Sequence, residues 1–128
     1  MLAVISILLI LTTACGFSLS TANIKNANMA RDVNGSLEEV EFYSQDEVFI
    51  CTAELANAPD DTVVTAQWFA VEADGIEPNY LIEQASVTTG SDQVYFDLSN
   101  NILWPAGTYR VDLLVNDEIA ESIEFQVE

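Results

Sequence analysis

Towards its C-terminus the chain alternates apolar and polar residues with a period of two, and that period confines it to β structure. Tyr109, Val111, Leu113 and Val115 form one row, against Arg110, Asp112 and the exception Leu114. Ile119, Ile123, Phe125 and Val127 form a second, against Ala120, Ser122, Glu124 and Gln126, with Glu121 interrupting the apolar side. Successive side chains of a strand point to opposite faces, so each row predicts a strand with one buried face. Asn116-Asp117 between them predicts a tight hairpin, because both residue types tolerate positive φ.

The same pattern recurs upstream in shorter pieces. Residues 47–55 place Phe49, Cys51, Ala53 and Leu55 on one face; residues 62–72 do the same with Val64, Ala66, Trp68 and Ala70. Residues 93–98 alternate through Val94, Phe96 and Leu98, residues 80–87 predict a weaker strand, and residues 37–42 an edge strand. Turn residues separate them at Asn57-Ala58-Pro59-Asp60-Asp61, Ala73-Asp74-Gly75 and Thr89-Gly90-Ser91. No helical period competes and no internal repeat appears. About seven short strands in under 100 residues predict an all-β antiparallel sandwich over residues 31–128, a length that can bury one core.

Ahead of that domain stand two other segments. Residues 16–30 carry Ser18, Ser20, Thr21, Asn23, Asn26 and Asn28 with no clean period, and are expected to be a flexible linker. Residues 2–11 are apolar apart from Ser6. Even residues 2–14 span only about 20 Å as a helix, short of a bilayer core of roughly 30 Å, which suits a secretory signal better than a membrane span. The sequence Leu11-Thr12-Thr13-Ala14-Cys15-Gly16 that follows resembles the lipobox of bacterial lipoproteins. The small residue before Cys15 and the glycine after it fit; Thr12 stands where that family favours leucine, and no Lys or Arg precedes Cys15. The resemblance implies a signal segment over residues 1–15, lipidation of Cys15 and an extracytoplasmic, membrane-anchored protein. An ordinary signal peptide or an uncleaved anchor, with Cys15 incidental, is the alternative.

Charge excludes one class of partner. Asp and Glu number 21 against Lys25, Arg31 and Arg110, for a net charge of −18. Binding to a phosphate backbone draws on clustered cations that displace counterions, and the sequence has no such cluster, so no nucleic-acid partner is expected. The acids are spread along the chain, as befits a solvated, mutually repelling surface.

Two local features sharpen the fold. Trp68 lies in mid-strand, and Pro105-Ala106-Gly107-Thr108-Tyr109-Arg110-Val111 leads into a late strand with a tyrosine two residues ahead of Val111. Together with Cys51 these residues resemble an immunoglobulin-like or fibronectin-III-like module of a bacterial surface protein. The resemblance implies a structural core of Cys51, Trp68, Tyr109 and Val111 and a tyrosine corner at Tyr109. Val111 stands where antibody domains have their second cysteine, so a Cys51–Val111 contact is expected in place of the inter-sheet disulfide.

Candidate sites are few. There is no histidine, which removes the usual general base and the usual triads. Cys51 is the one cysteine of the domain, and its strand pattern buries it, which makes a thiol inert. No catalytic residue, cofactor or metal site is expected. Asn57, Asp60 and Asp61, Asp74, Glu77 and Asn79, and Asn116, Asp117 and Glu118 offer clustered oxygens of the kind calcium takes, but turn chemistry accounts for all of them. Phe69, Val71 and Tyr95 should point away from the Trp68 face and form a partner patch if they share a sheet. Trp104 is expected to close one end of the sandwich. The function expected is that of a non-catalytic binding or structural module with an unknown protein or carbohydrate partner. A carbohydrate-binding or adhesion module is the alternative, and a small hydrolase using paired carboxylates the least favoured one.

Overall fold

The computed structural model describes residues 21–128; Cys15, segment 1–15 and residues 16–20 of the expected linker lie outside them. Nine strands run in order: β1 (Asn23–Val33), β2 (Ser36–Glu39), β3 (Phe42–Tyr43), β4 (Phe49–Ala56), β5 (Thr62–Ala73), β6 (Tyr80–Thr89), β7 (Asp92–Leu98), β8 (Gly107–Val115) and β9 (Glu118–Val127). They form a four-stranded sheet, β2-β1-β4-β7, and a five-stranded sheet, β3-β9-β8-β5-β6. All pairings are antiparallel except the short one between β3 and β9. The inner rows read from the sequence meet in one core: Phe49, Cys51, Ala53 and Leu55 from β4, Val64, Ala66, Trp68 and Ala70 from β5, and Tyr109, Val111 and Leu113 from β8. The molecule is an immunoglobulin-like β-sandwich.

The expected linker is corrected from Asn23 onward, because that stretch is strand β1, paired with β4. A bulge hides its period. Lys25 lies opposite Glu54 and Asn28 opposite Thr52, so β1 carries one extra residue there, and Asn26 takes φ 52°. Ala22 and Ile24 pack on the core before the bulge, Ala27 and Met29 after it, so the inward face switches from even to odd positions. Past β4, β1 continues into a hairpin with β2 through Asn34 and Gly35, both at positive φ.

Bulges also displace two expected side chains. Val71 is the extra residue where β5 passes β8, since Ala70 faces Tyr109 and Glu72 faces Thr108. Ala120 is the extra residue of β9, since Leu113 faces Glu121 and Leu114 faces Ile119. Ile119 therefore leaves the inner row and stands 62% exposed. The hairpin between β8 and β9 has the expected form, with Asn116 at φ 50° and Asp117 at φ 71°.

Tyr109 forms the tyrosine corner: its hydroxyl donates to the Pro105 carbonyl at 2.6 Å. Trp104 closes that end of the sandwich. Its backbone N–H donates to Gln45 and its indole N–H to the Glu47 carbonyl, at 2.8 and 2.9 Å. Its ring stacks on Phe49 with centroids 4.4 Å apart. Gly107 sits where two backbones nearly touch, and a Cβ there would lie 2.2 Å from the Glu72 carbonyl oxygen and 2.6 Å from the Ala73 Cα.

Two substitutions test this packing by thermal melting. Val111→Asp places a carboxylate without a partner at a fully buried position and should cost about 3–5 kcal/mol, most of a small domain's stability. Gly107→Ala should lower the melting temperature by several degrees, because backbone atoms must move apart; an unchanged melt would mean that the two strands do not approach this closely.

Candidate binding surfaces

Strand register assigns all the loops but the β2–β3 link to one of two ends. Asn23 lies beside Ala56, Leu55 beside Asp92, Thr62 beside Thr89, and Val115 beside Glu118. The start of β1, the β4–β5 loop, the β6–β7 turn and the β8–β9 turn therefore share one end. Phe49 lies beside Leu98, Ala73 beside Gly107, and Gly107 beside Val127. The β3–β4, β5–β6 and β7–β8 loops share the other end, and the β1–β2 hairpin projects there.

The two ends differ in chemistry. The first carries Asp60, Asp61, Asp92, Asp117 and Glu118 and is held by turn hydrogen bonds: Ala58 N–H to the Ser91 hydroxyl, and Val63 N–H to the Asn116 side-chain carbonyl. The second presents Ile102 and Leu103, 72% and 61% exposed, on the β7–β8 loop, and Val48 on the β3–β4 loop. The Trp104 hydrogen bonds to Gln45 and Glu47 hold those two loops together. Beside them the Arg31 guanidinium grips both carboxylate oxygens of Glu47 and donates to the Phe42 carbonyl. That pairing draws the Glu47 carboxyl below its ordinary value. The Glu47 contribution to holding this end is present above the ordinary carboxylate pKa and lost as pH falls through the lowered one. Open grooves of about 410 and 460 Å³ run along the side of the sandwich, lined by Val40, Glu41 and Phe42 and, in the larger one, by Met29 of β1 and Ile123 of β9.

The expected patch of Phe69, Val71 and Tyr95 is not brought together. Phe69 is on the outer face of the five-stranded sheet and Tyr95 on β7 of the four-stranded one, so the sandwich lies between them. Val71 is taken up by its bulge, where its carbonyl accepts the Asn79 N–H at 3.0 Å. The Phe69 ring is covered by the Arg110 guanidinium, 4.5 Å from its centroid. Arg110 is anchored by Asp112 at 2.9 Å, and Asp112, only 4% exposed, also accepts the Ser122 hydroxyl at 2.7 Å. The Tyr95 hydroxyl is engaged by Asp97 at 3.2 Å. What periodicity did not reveal was the apolar loop end, since Ile102 and Leu103 lie in a stretch without a period. Two adjacent large aliphatic residues among Ser and Asn were the available signal.

The expected core residues Cys51, Trp68, Tyr109 and Val111 are each no more than 2% exposed. Burial pushes the Cys51 thiol up to about 12, and burial likewise carries the Tyr43 and Tyr109 phenols up to about 12. Among the described residues no three His, Cys, Asp or Glu side chains are grouped so as to hold a metal ion.

No protein-family model matches the sequence, and no curated protein matches it significantly. Solved structures do. An immunoglobulin-like protein from Pseudomonas aeruginosa superposes with a TM-score of 0.58 at 12% identity, over 88% of this chain and 100% of that one. An alkylpurine DNA glycosylase from Pseudomonas fluorescens, bound to DNA containing an abasic site analog, gives 0.57 at 18% identity. A β-glucosidase from Listeria innocua in complex with isofagomine gives 0.55 at 16%. The glycosylase and β-glucosidase matches each cover 85% of this chain, which spans only 31% of the glycosylase and 16% of the β-glucosidase. At these identities the likeness shows the fold, an immunoglobulin-like sandwich that also occurs as one part of larger proteins.

The raised phenols and thiol give a pH prediction. Below about pH 8 all three groups are essentially neutral folded or unfolded. Above that the unfolded chain loses protons that the folded one keeps, so stability is present below the unfolded pKa values and lost as pH rises towards 12. Melting temperature should fall steadily between pH 9 and 12, with a shallower slope in Cys51→Ala. Cys51 should resist thiol reagents at pH 8 until the chain is unfolded.

Proposed function

We propose that this chain is a non-catalytic extracytoplasmic lipoprotein, anchored through Cys15, whose immunoglobulin-like domain serves as a binding module. The observation that carries the reading is polar placement. Thr21 and Ala22 lead into β1 at the acidic end, while Ile102, Leu103 and Val48 are exposed at the opposite one. An anchor at one end leaves the other facing away from the membrane, where two adjoining loops present aliphatic side chains to a protein partner. The absence of histidine and the burial of Cys51 support a binding role over a catalytic one. The carbohydrate-binding alternative draws on the likeness to a β-glucosidase segment, but a stacking platform needs exposed, coplanar rings, and Phe69 lies under Arg110 while the exposed Tyr95 is on the other sheet.

Fractionation tests the anchor. Cys15→Ala should move the protein from the membrane to the soluble fraction, and unchanged partitioning would remove lipidation from the reading. Ile102→Asp with Leu103→Asp should leave the melting temperature within about 2 °C, as expected of exposed loop positions. The same pair should abolish co-purification of any partner that the unaltered protein retains; a partner retained by the double variant would place binding elsewhere.

A further inference from the structure

The sandwich has several strand edges, and all but one are guarded. At one side of the four-stranded sheet β1 is bulged and followed by Glu38 and Glu39 on β2; at the other, β7 carries Asp92 and Asp97. Along most of β9 the free edge carries Glu118, Glu121 and Glu124 and is bulged at Ala120. Strand β6, at the far side of the five-stranded sheet, differs. Its bulge is confined to Ile82, since Trp68 faces Glu83 and Phe69 faces Leu81. From Glu83 to Thr89 its register with β5 is unbroken, and Glu83 is the only charge. Edges left long, regular and uncharged are the ones that pair with another strand.

We infer that the edge of β6 pairs with β6 of a second copy, antiparallel about a two-fold axis at Ser86, joining the two five-stranded sheets into one. The sequence Glu83-Gln84-Ala85-Ser86-Val87-Thr88-Thr89 complements itself about that centre. Ser86 faces its own mate, Ala85 faces Val87, Gln84 faces Thr88 and Glu83 faces Thr89. Val87 lies opposite Val64, on the inner side of the sheet, yet is 38% exposed among the described residues. Pairing sets it against the partner's Ala85 on that side, with Gln84, Ser86 and Thr88 on the other. Charge selects this edge for self-association. Two copies at −18 repel one another, and the other edges would set Glu38 and Glu39, Asp92 and Asp97, or Glu118, Glu121 and Glu124 against their mates. Here the two Glu83 carboxylates stand six residues apart along the ladder, about 20 Å, beyond the screening length at physiological salt. Pairing seven residues buries less than the roughly 1,200 Å² of a stable interface, so the dimer exchanges readily and is best trapped covalently.

The test uses the full chain carrying Cys15→Ala in mild detergent, with either Ser86→Cys or Thr88→Cys added. Directly opposed residues have Cα atoms about 4.5–5.5 Å apart, within disulfide range, whereas the two Thr88 residues lie about 14 Å apart in this register. Under mild oxidation Ser86→Cys should form a reducible dimer at least about tenfold faster than Thr88→Cys, since only the former meets the geometry of a disulfide. Raising the salt should increase the yield by screening the repulsion. Equal rates at the two positions, or no dimer from Ser86→Cys while thermal melting shows it folded, would overturn the proposal.

Discussion

The two sheets are joined without a disulfide, and what joins them is a knot of aromatic rings around Phe49. Its ring centroid lies 4.4–6.3 Å from those of Tyr43, Trp68, Trp104, Tyr109 and Phe125. These rings come from β3, β5, the β7–β8 loop, β8 and β9, so one side chain of β4 ties the four-stranded sheet to the five-stranded sheet and to its closing loop. Large rings bury much apolar area and add edge-to-face attraction beyond it. The Tyr43 hydroxyl completes the bond by donating back to the Ala30 carbonyl at 2.7 Å, so that β3 pairs with one sheet and hydrogen-bonds to the other.

Most of this was legible where the period of two ran undisturbed. The rows of β4, β5, β7 and β8 emerged with the correct inward faces, and the tyrosine corner and the capping role of Trp104 could be read from Pro105 to Val111. The cross-sheet emphasis differed: Cys51 and Val111 are both fully buried, but the rings gathered on Phe49 span the sheets. Failures coincide with bulges. One extra residue inverts the meaning of alternation, which is why β1 has no clean period and why Ile119 lies outside the inner row. The Asn34-Gly35 pair was a strong hairpin signal that would have exposed the end of β1. The partner patch failed for another reason: local spacing assigns a residue to a face of its strand, but not a strand to a sheet.

The acidic surface shapes what the domain can touch. With three cations against 21 acids, Arg31 is committed to Glu47 and Arg110 to Asp112 and the Phe69 ring. The Arg110–Asp112–Ser122 network sits in the middle of the outer face of the five-stranded sheet, where it satisfies a nearly buried carboxylate internally and leaves that face polar and self-contained. Exposed apolar side chains stand elsewhere, among them Ile102 and Leu103 on the β7–β8 loop, Ile119 beside the last hairpin, Phe42 and Tyr95 on β3 and β7, and Leu81 and Val87 along β6.

The antiparallel pairing of β1 with β4 has a mechanical consequence. A pull on the residues before Asn23, resisted at the loop end beyond Phe49, acts along the strand axes. The ladder from Asn23–Ala56 to Ala30–Ile50 is then loaded in shear, with its hydrogen bonds strained together instead of one after another. The same strand pulled sideways would unzip. Rupture under load is governed by the unfolding rate, so the direction of pull decides how long the domain survives. The bulge at Asn26 divides the ladder into two short blocks, so fewer hydrogen bonds share the load in each.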